Sequence, residues 1–259
     1  MNVLIRVWDR VAGSQPLPPA WVVGLTGLAA LIVVLNTGSW RLAGKVITIA
    51  HEGGHALVSV LSGRRLDGIR LHADSSGVTY SRGKPHGPGI VLTAAAGYVM
   101  PSLLGAGAAV LLAERHLTAM LWLALVLLAA TFLAIRNVFG AVAVLATAGA
   151  VFVVSYYAPP QVQAGFAYLA VWFLLFGALR PVLELARAQG RSQGRSQRRY
   201  LRRSRRGGRT RSSAQASDAD QLARMTGVPA GLWVALFALV TLAALAVGAS
   251  LLIPSGWHP

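Results

Sequence analysis

The chain has 259 residues, of which 55% are hydrophobic and only 12% charged, with a mean hydropathy of +0.57. That balance excludes an ordinary soluble domain and points to an all-α polytopic membrane protein. There is no cysteine, so disulfides, thiolate metal sites and a cysteine nucleophile are excluded, and any metal is held by His, Asp or Glu.

A spanning helix needs about 20 apolar residues. Hydrophobic segments of that kind run at 20–36, 40–62, 88–113, 117–135, 138–157, 162–183 and 229–253, which predicts six to seven transmembrane helices. The first segment starts late, and no small-residue cleavage site precedes the next apolar run, so it does not read as a signal peptide. Between the second and third segments, Ile69-Arg70-Leu71-His72 and Val78-Thr79-Tyr80-Ser81 alternate in polarity around Asp74-Ser75-Ser76-Gly77. This predicts a small β-hairpin over 66–82, at the membrane surface.

The formal net charge is +16. In a soluble protein such a charge suggests nucleic acid. Here it gathers in one polar stretch holding Arg187, Arg191, Arg195, Arg198, Arg199, Arg202, Arg203, Arg205, Arg206, Arg209 and Arg211. Without an aromatic platform or a binding fold beside it, the stretch predicts no nucleic-acid partner. It reads as a disordered cytoplasmic loop, 184–216, that obeys the positive-inside rule and touches anionic lipid of the bilayer. Arg6 and Arg10, the cluster from Arg64 to Lys84, and Arg136 fall on the same side if seven segments cross, which puts the N-terminus in the cytoplasm. Three parts result. Residues 1–183 form a membrane domain with the reactive core in helix 40–62 and hairpin 66–82. Residues 184–216 form the loop. Residues 217–259 form an amphipathic re-entry segment, capped by Ser217 or Asp218, and a last span.

Within the second segment stands His51-Glu52-Gly53-Gly54-His55. Two His four residues apart share one helix face, and their imidazoles can converge on one zinc ion. Glu52 is beside them without being a ligand and suits a general base towards water whose pKa the metal lowers to ~7. Satisfied core histidines are the bland alternative, but three ionisable groups inside an apolar span are costly and mark function. From Gly54 to the end of the segment near Gly63 is about nine residues, or roughly 14 Å, a depth that water reaches from the cytoplasm.

Catalytic zinc commonly takes three protein ligands and leaves one position open. The remaining acids are Asp9, Asp67, Asp74, Glu114, Glu184, Asp218 and Asp220, and the remaining His are His72, His86, His116 and His258. Glu114, His116 and His258 fall on the far side, and the hairpin residues read as solvated. Asp218 is the preferred third ligand, with Asp220 as the alternate; helix capping competes for both. Asn137 suits either polarisation of a substrate carbonyl or a helix cap. Gly190-Arg191-Ser192-Gln193-Gly194 matches a nucleophile-elbow pattern but lies in the polar repeat, away from any strand-to-helix turn.

With these residues the chain resembles the site-2 protease family of intramembrane zinc metalloproteases, in its bacterial B-like branch. The resemblance runs through His51 to Ala56, Gly63-Arg64-Arg65, Gly77-Val78-Thr79, Ala96-Gly97-Tyr98, Arg136-Asn137 and Ser217-Asp218-Ala219. It implies a bacterial plasma-membrane protein that hydrolyses peptide bonds in or near transmembrane segments of membrane-protein substrates. His51 and His55 are then zinc ligands, Glu52 is the base, and the hairpin meets substrate. One departure stands out. The better-known branch draws its third ligand from an Asn-Pro-x-x-Asp-Gly motif that is absent here, and Leu66-Asp67-Gly68 resembles only its tail. A metal-binding transporter or sensor without hydrolytic activity is the competing class, and a catalytically dead scaffold a third.

Overall fold

The computed structural model describes residues 13–203 and 217–253, with side chains at 13–191 and 217–253. Arg6, Asp9, Arg10, His258 and the arginines from Arg205 to Arg211 lie outside the described residues. All seven hydrophobic segments are helical: α1 (Ala20–Leu35), α2 (Thr37–Leu61), α3 (Pro88–Ala113), α4 (Leu117–Ala134), α5 (Val138–Tyr157), α6 (Pro160–Arg203) and α8 (Ala230–Leu252). A shorter helix, α7 (Asp218–Thr226), precedes the last. Where a loop is expected from residue 184, helix α6 continues to Arg203.

Five of these helices, α3, α4, α5, α6 and α8, are long and apolar enough to cross a membrane alone. Helices α1 and α2 pass only as a pair and meet at 102°. The expected lower number of six crossings is reached if the pair counts as one, so an argument from seven crossings does not fix the N-terminus. The reason is local. Helix α1 has 16 residues, about 24 Å of rise, against a hydrocarbon core of about 30 Å. Asn36 then stops it and caps α2, its Oδ1 accepting from the N–H groups of Gly38 at 2.8 Å and Ser39 at 3.1 Å. The Arg180 guanidinium of α6 donates to the Val34 carbonyl and stacks over the Trp40 ring at 4.6 Å. A helix C-terminus inside the bundle thereby gains a partner and a compensating charge.

Helix α2 packs on α3, which in turn packs on α6 and α8, and α1 packs on α6. Gly54 makes the α2–α3 approach possible. A Cβ there would lie 2.5 Å from Met100 Cβ and 3.2 Å from the Ala96 carbonyl. Gly53 has only ordinary contacts, so the two adjacent glycines differ in purpose.

The hairpin consists of β1 (Arg65–Leu71) and β2 (Gly77–Arg82), antiparallel, with a bulge between Leu66 and Gly68. It turns back along α2. Lys45 Nζ donates to the Ala73 carbonyl and to Ser75 Oγ, the latter at 3.0 Å, and Thr48 Oγ1 donates to the Ser75 carbonyl at 3.0 Å. The driving force is in β1, whose Ile69 and Leu71 are buried among Ile49, Ala56, Ala134, Ile135 and Val144. Polar donors on α2 satisfy the turn, so the hairpin stays packed along the helix.

The outer edge of β1 is closed by the α4–α5 junction. Arg136 N–H donates to the Ile69 carbonyl at 2.8 Å. Asn137 then grips the Leu71 peptide from both sides, Nδ2 donating to its carbonyl at 2.7 Å and Oδ1 accepting its N–H at 3.2 Å. Asn137 makes no cap bond to its own helix; its side chain acts as a short strand. Asn137→Leu leaves the Leu71 peptide without those partners, a cost of about 1–3 kcal/mol. Hydrogen exchange at β1 amides is expected to quicken about 5- to 150-fold, since a factor of ten corresponds to ~1.4 kcal/mol.

Candidate metal centre

His51 and His55 occupy successive turns of α2, and both rings point towards α3 and α7. Their Nε2 atoms are 3.1 Å apart. Asp218, the first residue of α7, completes a triangle: its Oδ2 is 3.3 Å from His51 Nε2 and 3.2 Å from His55 Nε2. Bonds of 2.0–2.1 Å in tetrahedral array put ligand atoms about 3.3–3.4 Å apart. The three atoms thus stand at the spacing that one metal ion requires, and among the described residues they form the one group of His and acids able to hold it.

The protonation pattern argues in the same direction. His55 Nδ1 lies 2.6 Å from the Thr93 carbonyl, in a buried contact. A carbonyl only accepts, so Nδ1 carries a proton, and in the neutral ring the lone pair is then on Nε2. That lone pair faces a carboxylate oxygen 3.2 Å away. Two acceptors at such a distance repel unless a proton or a metal ion lies between them. The Thr93 contact is also the usual support of a metal-bound imidazole, fixing its tautomer and ring plane.

Gly97 of α3 faces the same point. A Cβ there would lie 2.6 Å from His55 Cε1 and closer still to both Nε2 atoms. A glycine in a helix interior costs ~1 kcal/mol relative to alanine, and here its absent side chain is the space in front of the imidazoles. Tyr98, the next residue, meets His51 edge-on at 4.8 Å and stacks on Phe237 of α8 at 5.2 Å.

Helix α7 is seated by Ala219 and Leu222, both fully buried against Ala94, Val182, Leu185, Val234 and Phe237. A capping box begins it. Ser217 Oγ accepts from Asp220 N–H at 3.2 Å, and Asp220 Oδ2 accepts from Ser217 N–H at 3.1 Å. Asp220 Oδ1 also accepts from Gln189 Nε2 of α6 at 2.8 Å. Burial pushes the Asp220 carboxyl up, but the Gln189 and Ser217 hydrogen bonds outweigh it and leave the group below the usual carboxylate range. Asp220 is therefore spent on holding α7, not on the imidazoles.

Glu52 is buried, with 4% of its surface exposed. Its Oε2 accepts from the Thr79 hydroxyl of β2 at 2.7 Å. The other candidates lie elsewhere. Asp67 pairs with Arg82 at 2.7 Å, Asp74 holds the turn through Ser76, and Glu184 pairs with Arg180 at 3.3 Å. Gly97, Thr93 and Thr79 were not given roles from the sequence. For Thr93 and Gly97 the signal is the run Thr93-Ala94-Ala95-Ala96-Gly97, small residues on a helix opposite the His pair.

A family model described as Peptidase M50B-like matches residues 24–248, far more than half of the chain. No curated protein and no solved structure matches it. Gly97→Ala tests the open space before the imidazoles. It favours helix, so the circular dichroism spectrum is expected to persist, while metal affinity measured by competition with a chelator falls at least about tenfold, the low end for disturbing a ligand's support.

Proposed function

This chain belongs to the Peptidase M50B-like family, and we propose that it is an intramembrane zinc endopeptidase. Family membership makes it a membrane metalloprotease at the family level. The finer reading is ours: His51, His55 and Asp218 hold zinc, and Glu52 is the general base for hydrolysis of peptide bonds in or near transmembrane segments. The observation that carries it is the triangle of three lone-pair atoms, 3.1–3.3 Å on each side, next to a buried carboxylate that is not part of it.

Zinc held there supplies a Lewis acid and water of lowered pKa, with one position left open by three protein ligands. The chain's own chemistry falls to Glu52. Its carboxylate takes a proton from the attacking water and returns it to the leaving amine nitrogen. With Nε2 given to the metal, His55 would be neutral, and Thr93 orients it by holding its Nδ1 proton. Substrate helices must unwind to expose a peptide bond. Among the described residues no strand pairs with the far edge of β2, and an extended segment added there runs past Thr79 and so past Glu52.

Ser62 lies against Gly89, Arg136 donates to Asp67, and α7 packs against the start of α3 and the 182–185 region of α6. The basic hairpin base, Arg136 and the arginine-rich end of α6 therefore gather at one end of the bundle, which the positive-inside rule assigns to the cytoplasm. Anionic lipid is the proposed neighbour of the arginines.

Glu52→Gln in the zinc-loaded protein is expected to keep its metal and lose cleavage of a single-span substrate by at least about 100-fold, the lower range for a general base. Retained cleavage sinks the hydrolytic reading, and zinc flux in proteoliposomes would put the transporter reading in its place. Asp218→Ala and Asp220→Ala separate ligand from cap. The first is expected to abolish stoichiometric zinc. The second is expected to retain zinc and lower stability by about 0.5–2 kcal/mol, as for other lost caps.

A further inference from the structure

Strand β2 does more than border the site: it bonds one oxygen of the Glu52 carboxylate and makes room for the other. Thr79 Oγ1 is 2.7 Å from Oε2, the length of a short charge-assisted bond. Its alternative acceptor, the Glu52 main-chain carbonyl, is farther away at 3.2 Å. On the other side, a Cβ at Gly77 would lie 2.6 Å from Glu52 Cγ and 2.7 Å from Oε1. Gly77 and Thr79 are two apart, so both project to the same face of the strand. The glycine admits the carboxylate and the threonine pins it.

We propose that Thr79 is a positioning residue for hydrolysis: its hydroxyl fixes the plane of the Glu52 carboxylate, so that one oxygen is occupied by the protein and the other is the acceptor for the water proton. This rests on the reading of Glu52 as general base. A buried Glu side chain with three rotatable bonds needs such a partner, because helix α2 alone fixes only its Cα. The hydroxyl comes from a strand with an open edge, so a peptide that joins β2 lies on the element that orients the base. Thr79 meets neither metal nor substrate in this scheme; it acts through Glu52.

The test has two readouts on the full-length protein. Thr79→Val is expected to retain its zinc and its KM and to lower kcat about 10- to 100-fold, the usual effect of removing an outer-shell partner. Thr79→Ser, which keeps the hydroxyl, restores most of the rate. Infrared spectra of the metal-free proteins give the second readout. The Thr79→Val minus unsubstituted difference should contain a carboxylate band, absent from the same difference taken in a Glu52→Gln background. Thr79→Ala replaces Thr79→Val if the latter fails to fold. An unaltered carboxylate band, or an unaltered kcat while Glu52→Gln is inactive, overturns the assignment of Thr79. Full activity in Glu52→Gln overturns the reading of Glu52 itself.

Discussion

Two imidazole lone pairs and a carboxylate oxygen cannot share a point inside an apolar bundle without a cation. Around His51, His55 and Asp218 the protein accepts that constraint and builds on it. The Thr93 carbonyl holds a proton of His55 on the far nitrogen, which leaves the near nitrogen of the neutral ring free to bind a metal. Asp218 arrives from a helix that contributes nothing to the span itself. Burial of these groups is unfavourable in lipid, and it persists because neighbouring elements satisfy each of them and a metal can satisfy them together.

The rest of the fold can be read as the means of bringing that point about. Gly54 lets α3 approach α2, and Gly97 keeps the approach from filling the site. Phe237 braces Tyr98, which braces His51, so the last helix supports the ligand without touching it. Ser217 and Asp220 start α7 at the residue that sets Asp218 in place, and Gln189 ties that start to α6. The long helix bearing the arginines is thereby connected to the third corner of the triangle through one hydrogen bond at 2.8 Å.

Much of this is legible in the residues. HEGGH within an apolar run gives two corners and the acid, and hydropathy gives the long helices to within a few positions, except the polar end of α6, which continues to Arg203. Asp218 and Asp220 were harder to separate. They lie about 200° apart around a helix, so only one can face the imidazoles, and Ser217-x-x-Asp220 is a capping-box pattern that assigns the other. The break at Asn36 was also written in the sequence, as an N-cap residue ahead of Gly38 and Ser39, but continuous apolarity masks a change of direction. How far back along α2 the hairpin reaches was not legible. Its turn is polar, and polarity marks a surface only when nothing inside offers partners. Lys45 and Thr48 offer them from α2, across 27 to 30 residues of chain, and local pattern does not report on contacts of that range.

That reach has a consequence for what the site can do. Backbone N–H and C=O groups at the level of a membrane span must meet water or another backbone. Ile135, Arg136 and Asn137 meet those of β1, whereas β2 has no strand on its far side among the described residues. Lipid chains cannot cover such an edge. It is stable only if water reaches it or an extended segment pairs with it, and a peptide hydrolase inside a membrane needs both. On the proposed reading, the edge that is a liability for a folded protein suits the reaction, since it offers water and peptide backbone a place on the strand that holds Glu52.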